Sequence, residues 1–171
     1  VDRDDLPDGG AAHVARCVAS IKRRAPDIMV EILTGDFRGN QVALALAAQS
    51  GAEVLAHNIE VVRRLTPLVR DPRCDYDQSL DVLRAFRRLG PANACTKASI
   101  MVGVGETREE VLRCMDDLLE AGVRILTIGQ YLQPTPSHAP IDRWAPPEEF
   151  EAWKDFALSQ GLEVVESGPL V

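Results

Sequence analysis

No two cysteines of this chain lie close together: Cys17, Cys74, Cys95 and Cys114 are scattered, and there is no C-x-x-C pair of the kind that marks zinc and redox sites. Cys17 and Cys114 fall inside helical patterns and read as small buried hydrophobes. That leaves Cys95, just ahead of a strand, as the thiol to test for reactivity. Long apolar runs are also missing. Nothing approaches the roughly 20 residues that span a bilayer, and the opening VDRDDLP is acidic where a signal or transit peptide would be basic, so neither an address nor a membrane partner is expected. Positive charge is scarce as well: the net charge is -7 and the arginines are dispersed among acids, which argues against nucleic acid as a partner and for a soluble surface. Short repeats and low-complexity linkers are absent.

What is present is enough to build a core. With 171 residues, 46% apolar and 26% charged, the chain should form one domain or a large part of one. Apolar spacing predicts helices over residues 10–24, 40–50, 58–69, 76–89, 107–121 and 147–159, with Ala11, Val14, Ala15, Val18 and Ile21 sharing a face of the first. Strands are predicted over residues 28–34, 53–57, 96–102, 125–131 and 162–166. Pro134, Pro136 and Pro140 make residues 133–144 a long ordered loop. Strands alternating with helices are the grammar of a parallel α/β sheet or barrel built from right-handed crossovers. The first helix has no strand before it and the last strand no element after it, so the chain reads as a piece of a larger barrel.

The run TKASIMVGVGET, residues 96–107, organises the rest. Alternation puts Ala98, Ile100 and Val102 on a face suited to a helical coat, and Lys97, Ser99 and Met101 on a more polar interior face. Gly103 and Gly105 then allow a tight turn that leaves Glu106 and the helix cap Thr107 at the strand's carboxyl end, where α/β folds place ligands. Read alone, such a turn is a common strand-to-helix connection.

Parallel strands would gather at one rim the acidic run from Asp2 to Asp5, then Asp36 with Arg38, residues 57–60, residues 103–106 and residues 130–138. Glu31 and Lys97 would face the interior, either as a mutual structural ion pair or as ligand contacts. His57 suits a hydrogen-bonded wall residue, His138 a solvated side chain or a general base, and the Asp2–Asp5 run a solvated loop.

Eight segments carry a resemblance. VDRDDLPDGGAAH, GDFRGN, AHNIE, VRDPR with YDQSLDVL, TKASIMVGVGET, ILTIGQYLQPTPSH, PPEEF and SGPLV resemble, in this order, the carboxyl-terminal part of the lipoyl synthase family of radical S-adenosylmethionine enzymes. The resemblance implies a partial (β/α) barrel of six parallel strands, of which residues 1–171 would supply the last four and a short terminal strand. It implies insertion of two sulfur atoms into an octanoyl chain carried on a protein. One 4Fe-4S cluster cleaves S-adenosylmethionine to a hydrogen-abstracting radical, and a second gives up sulfur. Implied partners are an octanoylated lipoyl carrier domain or H protein and an electron donor.

Carried over by position, Asp2, Asp4 and Asp5, with Asn58 and Glu60, would face the methionine and ribose portions of S-adenosylmethionine. Gly103, Gly105 and Glu106 would lie near its adenine, Lys97 and Met101 would point into the cavity, and the backbone of Gln130, Tyr131 and Leu132 would complete the pocket. The family's C-x3-C-x2-C loop, its second cysteine trio and the Arg-Ser-Ser-Tyr segment after SGPLV have no counterpart here, so this chain by itself is expected to bind neither cluster and to be inactive. GDFRG and QYLQPTPSH are similar to mitochondrial members. Two other readings remain open: a barrel enzyme that binds a phosphorylated ligand at the glycine turn, and a non-catalytic barrel that keeps a carrier-docking surface.

Overall fold

The computed structural model describes Arg3 and residues 5–171. Five parallel strands, β1 (Glu31–Leu33), β2 (Val54–Ala56), β3 (Cys95–Val102), β4 (Ile125–Gln130) and β5 (Val164–Gly168), lie in the sheet in their order along the chain. Every crossover therefore steps the same way, and all the strands' carboxyl ends share one rim. The helices are α1 (Ala11–Arg24), α2 (Gln41–Ala48), α3 (Thr66–Val69), α4 (Tyr76–Leu89), α5 (Arg108–Glu120) and α6 (Pro147–Gln160). No helix among the described residues is long and apolar enough to cross a membrane.

The alternation expected of β3 is the rule for the whole sheet. Thr96, Ala98, Ile100 and Val102 are buried beneath the helices, while Lys97, Ser99 and Met101 are half-buried on the other face. Register carries the faces across: Lys97 pairs Ile125 on one side and Ala56 on the other, and Glu31 pairs Val54. The outward row of Ile32, Leu55, Leu126, Ile128 and Val165 is buried. The inward row stays open at the edges, with Leu33 and Val164 exposed. One face coated and one face open is the layout of a barrel sheet, as the sequence predicts.

The core falls into two clusters. One joins Ala98, Ile100, Leu126 and Val165 to Met115, Leu118, Phe150 and Trp153; the other joins Ile32 and Leu55 to Val18, Leu44, Ala47 and Ala48. Helix α4 serves both, giving Tyr76, Leu80 and Leu83 to the first and Val82, Ala85 and Phe86 to the second. The helix starts are set locally. Asn40 Oδ1 accepts from the N–H groups of Val42 and Ala43, Asp75 accepts from Gln78, and Thr107 with Glu110 forms a full capping box.

Three expectations need correction. Residues 58–69 are not one helix: residues 58–60 are irregular, with Glu60 bridged to Ile100, a 3-10 turn follows at Arg63–Leu65, and only Thr66–Val69 is helical. Cys17 is exposed, its Sγ 3.4 Å from His13 Nε2; only Cys114 of the helical pair is buried, and burial pushes its thiol up to about 12. The flanking strands are also displaced, since Ile28 and Met29 lie exposed outside β1, and β5 runs from Val164 to Gly168.

Candidate functional site

At the carboxyl end of β2 the chain gains a residue on its neighbour. Ala56 pairs Lys97, but Glu60 pairs Ile100, four steps along one strand against three along the other. His57 N–H bonds the Lys97 carbonyl, Glu60 N–H bonds Ser99, and Met101 N–H bonds Glu60 at 2.7 Å, so residues 58 and 59 form a bulge. Glu60 takes a left-handed conformation at φ 69°, costly because its Cβ crowds the backbone carbonyl. Ile59 and Val61 sink into the core while Asn58 and Glu60 remain half-exposed. Neither the Asn58 amide nor the Glu60 carboxylate forms a hydrogen bond or ion pair among the described residues.

Beside this bulge, Lys97 Nζ bonds both oxygens of Glu31 at 2.9 and 3.0 Å. The pair is the mutual ion pair anticipated as one of two alternatives, and it is partly wet, the side chains being 24% and 42% exposed. Ser99 and Thr127 join their hydroxyls across β3 and β4, and Met101 continues the inward row of β3 towards the rim. His57 is buried, its Nδ1 2.9 Å from the Thr34 carbonyl, in the role of a wall residue.

The glycine turn is built differently. Gly103 and Gly105 have φ of 98° and 102°, and a Cβ on Gly103 would stand 2.6 Å from the Arg143 carbonyl oxygen. The Glu106 side chain, 1% exposed, accepts from the N–H groups of Gly103 at 2.8 Å and Val104 at 3.0 Å. Its third donor is Arg143 Nη2 at 3.3 Å, and Arg143 is also bidentate to Glu149 at 2.6 and 2.9 Å. Glu149 raises the Arg143 guanidinium further above its ordinary value. Gln130 lies on the outward face of β4, where its Nε2 donates to the carbonyls of Tyr131 and Arg143 and its Oε1 accepts from Ala145. Tyr131 is buried with its hydroxyl on the Ala139 carbonyl. The side chains of Glu106, Gln130 and Tyr131 are thus engaged within the protein, and this rim segment offers a ligand its backbone.

The remaining sequence candidates divide. Asp5 is exposed and bidentate to Arg3, whose hydrogen bonds hold its carboxyl below the usual range; Asp2 and Asp4 lie outside the described residues. His138 is exposed in the proline loop with Nδ1 2.8 Å from Thr135 Oγ1. The structure brings Asn58, Glu60, Lys97 and Met101 onto adjoining strands, with the glycine turn following at the end of β3. Sequence reasoning missed Arg143, whose bond to Glu106 spans 37 residues and leaves no local pattern, and with it Glu149, which holds the same guanidinium.

A cluster is a different matter. The thiols sit on α1, ahead of α4, at the start of β3 and on α5, and among the described residues no three His, Cys, Asp or Glu side chains are grouped to hold a metal. These donors do not fit an iron–sulfur cluster, which needs convergent thiolates. The unpartnered Asn58 and Glu60, by contrast, fit a polar organic cofactor.

A singly wound parallel sheet with polar groups at its carboxyl rim is the frame of the Radical SAM superfamily, which residues 1–130 match; the chain belongs to that superfamily. Over all 171 residues it is 56% identical to lipoyl synthase of Halorhodospira halophila, covering 51% of that protein. It is 52% identical to the mitochondrial lipoyl synthase of Branchiostoma floridae and 51% to the chloroplastic one of Arabidopsis thaliana, again over the whole chain and over 45% and 43% of those proteins. The chain therefore spans about half the length of the curated relatives it matches. Among solved structures it is similar in fold to methylornithine synthase, with a TM-score of 0.63 at 15% identity, covering 91% of this chain and 51% of that one. Streptococcus suis SuiB is similar at a TM-score of 0.58 and 10% identity, over 91% and 42% of the two chains.

Proposed function

We propose that this chain is the carboxyl-terminal part of the barrel domain of a lipoyl synthase, which inserts two sulfur atoms into an octanoyl chain carried on a protein. The observation that carries the proposal is the identity of 56% over the whole chain, together with two polar side chains left unpartnered at the β2 bulge. In this reading Asn58 and Glu60 hold the methionine and ribose portions of S-adenosylmethionine, with Asp2, Asp4 and Asp5 of the acidic run also contributing. Lys97 and Met101 line the cavity below them, and the backbone at Gly103, Gly105, Glu106, Gln130 and Tyr131 forms the adenine side. When bound, the cofactor supplies the equivalent that removes hydrogen from an unactivated carbon.

This chain's own part is binding and orientation. The Glu60 carboxylate can accept from ribose hydroxyls, and the Asn58 amide can both donate to and accept from a zwitterionic amino-acid end. Lys97, neutralised by Glu31, gives a polar floor without an unbalanced charge. The cluster ligands would come from outside these residues, so the chain alone is inactive. Partners on this reading are an octanoylated carrier domain or H protein and an electron donor. The mitochondrial setting rests on residues 35–39 and 130–138 alone, and cell fractionation tests it.

Two measurements test the function. The 171-residue chain treated with iron and sulfide should show no cluster absorbance, while the longer protein should show it; stoichiometric cluster in the short chain would overturn the reading. In the cluster-loaded longer protein, Asn58→Ala should weaken S-adenosylmethionine binding by about tenfold or more, because an amide hydrogen-bonded to a charged group contributes roughly 1.5–3 kcal/mol. Unchanged binding would remove Asn58 from the site.

A further inference from the structure

The loop over residues 131–146 contains Pro134, Pro136, Pro140 and Pro146, which cannot donate hydrogen bonds, so it cannot zip itself into regular structure. Its outer part has local ties, Tyr131 to Ala139 and Gln133 to His138. Its return limb is fixed from outside, and every tie converges on residues 142–145. The Gly103 carbonyl accepts from Asp142 N–H at 2.8 Å, Gln130 brackets the Arg143 carbonyl and the Ala145 N–H, and the Arg143 guanidinium reaches both the glycine turn and the first turn of α6. Arg143 also lies over the Trp153 ring at 6.0 Å.

The chemistry asks for arginine. Glu106 is nearly sealed from solvent and Glu149 is about three-quarters buried, and one guanidinium serves both: two parallel bonds to Glu149 and a third to Glu106. An ammonium carries the charge but not the planar fork that meets two carboxylates at once. Without that fork the two carboxylates would face each other, and the turn and the loop would lose their shared counter-charge.

We propose that Arg143 is the positioning residue of this rim. It joins the 103–106 turn to α6 across the proline loop, so that the backbone of the turn and of residues 130–132 meets a ligand as one fixed wall. Arg143 acts on ligand affinity through that wall and not on the chemical step. This inference rests on the proposed function for the identity of the ligand, S-adenosylmethionine.

The test uses the cluster-loaded, full-length protein. Arg143→Met should raise the KM for S-adenosylmethionine about tenfold while kcat at saturation falls less than about twofold, because a displaced wall costs uniform binding. Arg143→Lys should recover part of the loss, to about threefold, since it keeps the charge and loses the fork. In parallel, amide hydrogen exchange over residues 131–146 should quicken in Arg143→Met while the amides of β3 keep their protection. Should Arg143→Met fail to fold, Glu149→Gln, which removes only the less buried partner, should move the same readouts by a smaller factor. An unchanged KM in an active protein, or unchanged exchange across the loop, would overturn the inference. A wild-type protein that does not bind S-adenosylmethionine would sink the proposed function instead, and the exchange measurement would still decide whether Arg143 fixes the loop.

Discussion

Two neighbouring parts of the rim were expected to do the same work, and the structure treats them in opposite ways. At the glycine turn every polar side chain is engaged: Glu106 has three donors, Gln130 three partners, and the arginine between them two carboxylates. At the β2 bulge, the side chains of Asn58 and Glu60 have no partner among the described residues, and Glu60 is held in a strained backbone conformation. A folded chain does not leave a half-buried carboxylate unpaired at a strained position for the sake of stability. On the proposed reading the turn would meet a ligand through its backbone, and the bulge would supply the side chains.

The comparison breaks most easily at Glu106. Glu106→Ala should lower the unfolding free energy by about 3 kcal/mol, since it strands two backbone N–H groups and removes one partner of a half-buried guanidinium; denaturant unfolding measures it, and a loss below about 1 kcal/mol would mean that the turn holds without its carboxylate. Gln130→Ala should cost about 2 kcal/mol by the same measurement, from the Ala145 N–H and Arg143 carbonyl left unsatisfied. At the bulge the signs should separate. Glu60→Gly relieves the positive φ, so stability should stay within about 1 kcal/mol of wild type or rise, while S-adenosylmethionine affinity falls about tenfold in calorimetry on the loaded protein. Lys97→Met should cost less than about 1 kcal/mol, because its partner Glu31 is 42% exposed and keeps water.

The smallest effect is in acid. Arg64 first, and the Thr107 N–H second, hold Glu110 below its ordinary value of 4.5. A depressed folded-state value means that the contribution is present above that ordinary value and is lost as the pH falls through the depressed one. Thermal melts of wild type and Arg64→Met should therefore converge as the pH drops, and parallel curves would show that the Arg64–Glu110 pair contributes nothing.

Local chemistry made much of this fold legible. The period-2 pattern from Thr96 to Val102 defined both faces of the sheet, and Asn40 and Thr107 marked their helix starts by the caps they form. The bulge was not legible, because Val61, Val62, Leu65 and Leu68 repeat at three and four residues as a helix would. Ile59, Val61 and Leu65 are buried through an extended segment and a 3-10 turn instead, while Leu68 is exposed. Cys17 failed for a related reason: its place in an amphipathic pattern does not say which side of a helix edge it occupies. The site residues were named through family resemblance, but whether their side chains were available depended largely on distant partners, 13 residues away for Gln130 and Arg143, 37 for Glu106 and Arg143 and 66 for Lys97 and Glu31.

Helix α4 has a consequence for how this molecule comes apart. Because Tyr76, Leu80 and Leu83 insert into one cluster and Val82, Ala85 and Phe86 into the other, neither half can loosen without dragging on the helix that seals its neighbour. The strands on the two sides of β3 are thus mechanically joined through the outer layer as well as through the sheet. Loosening that begins near α1 should therefore be felt at β5, and calorimetry should show a single cooperative transition.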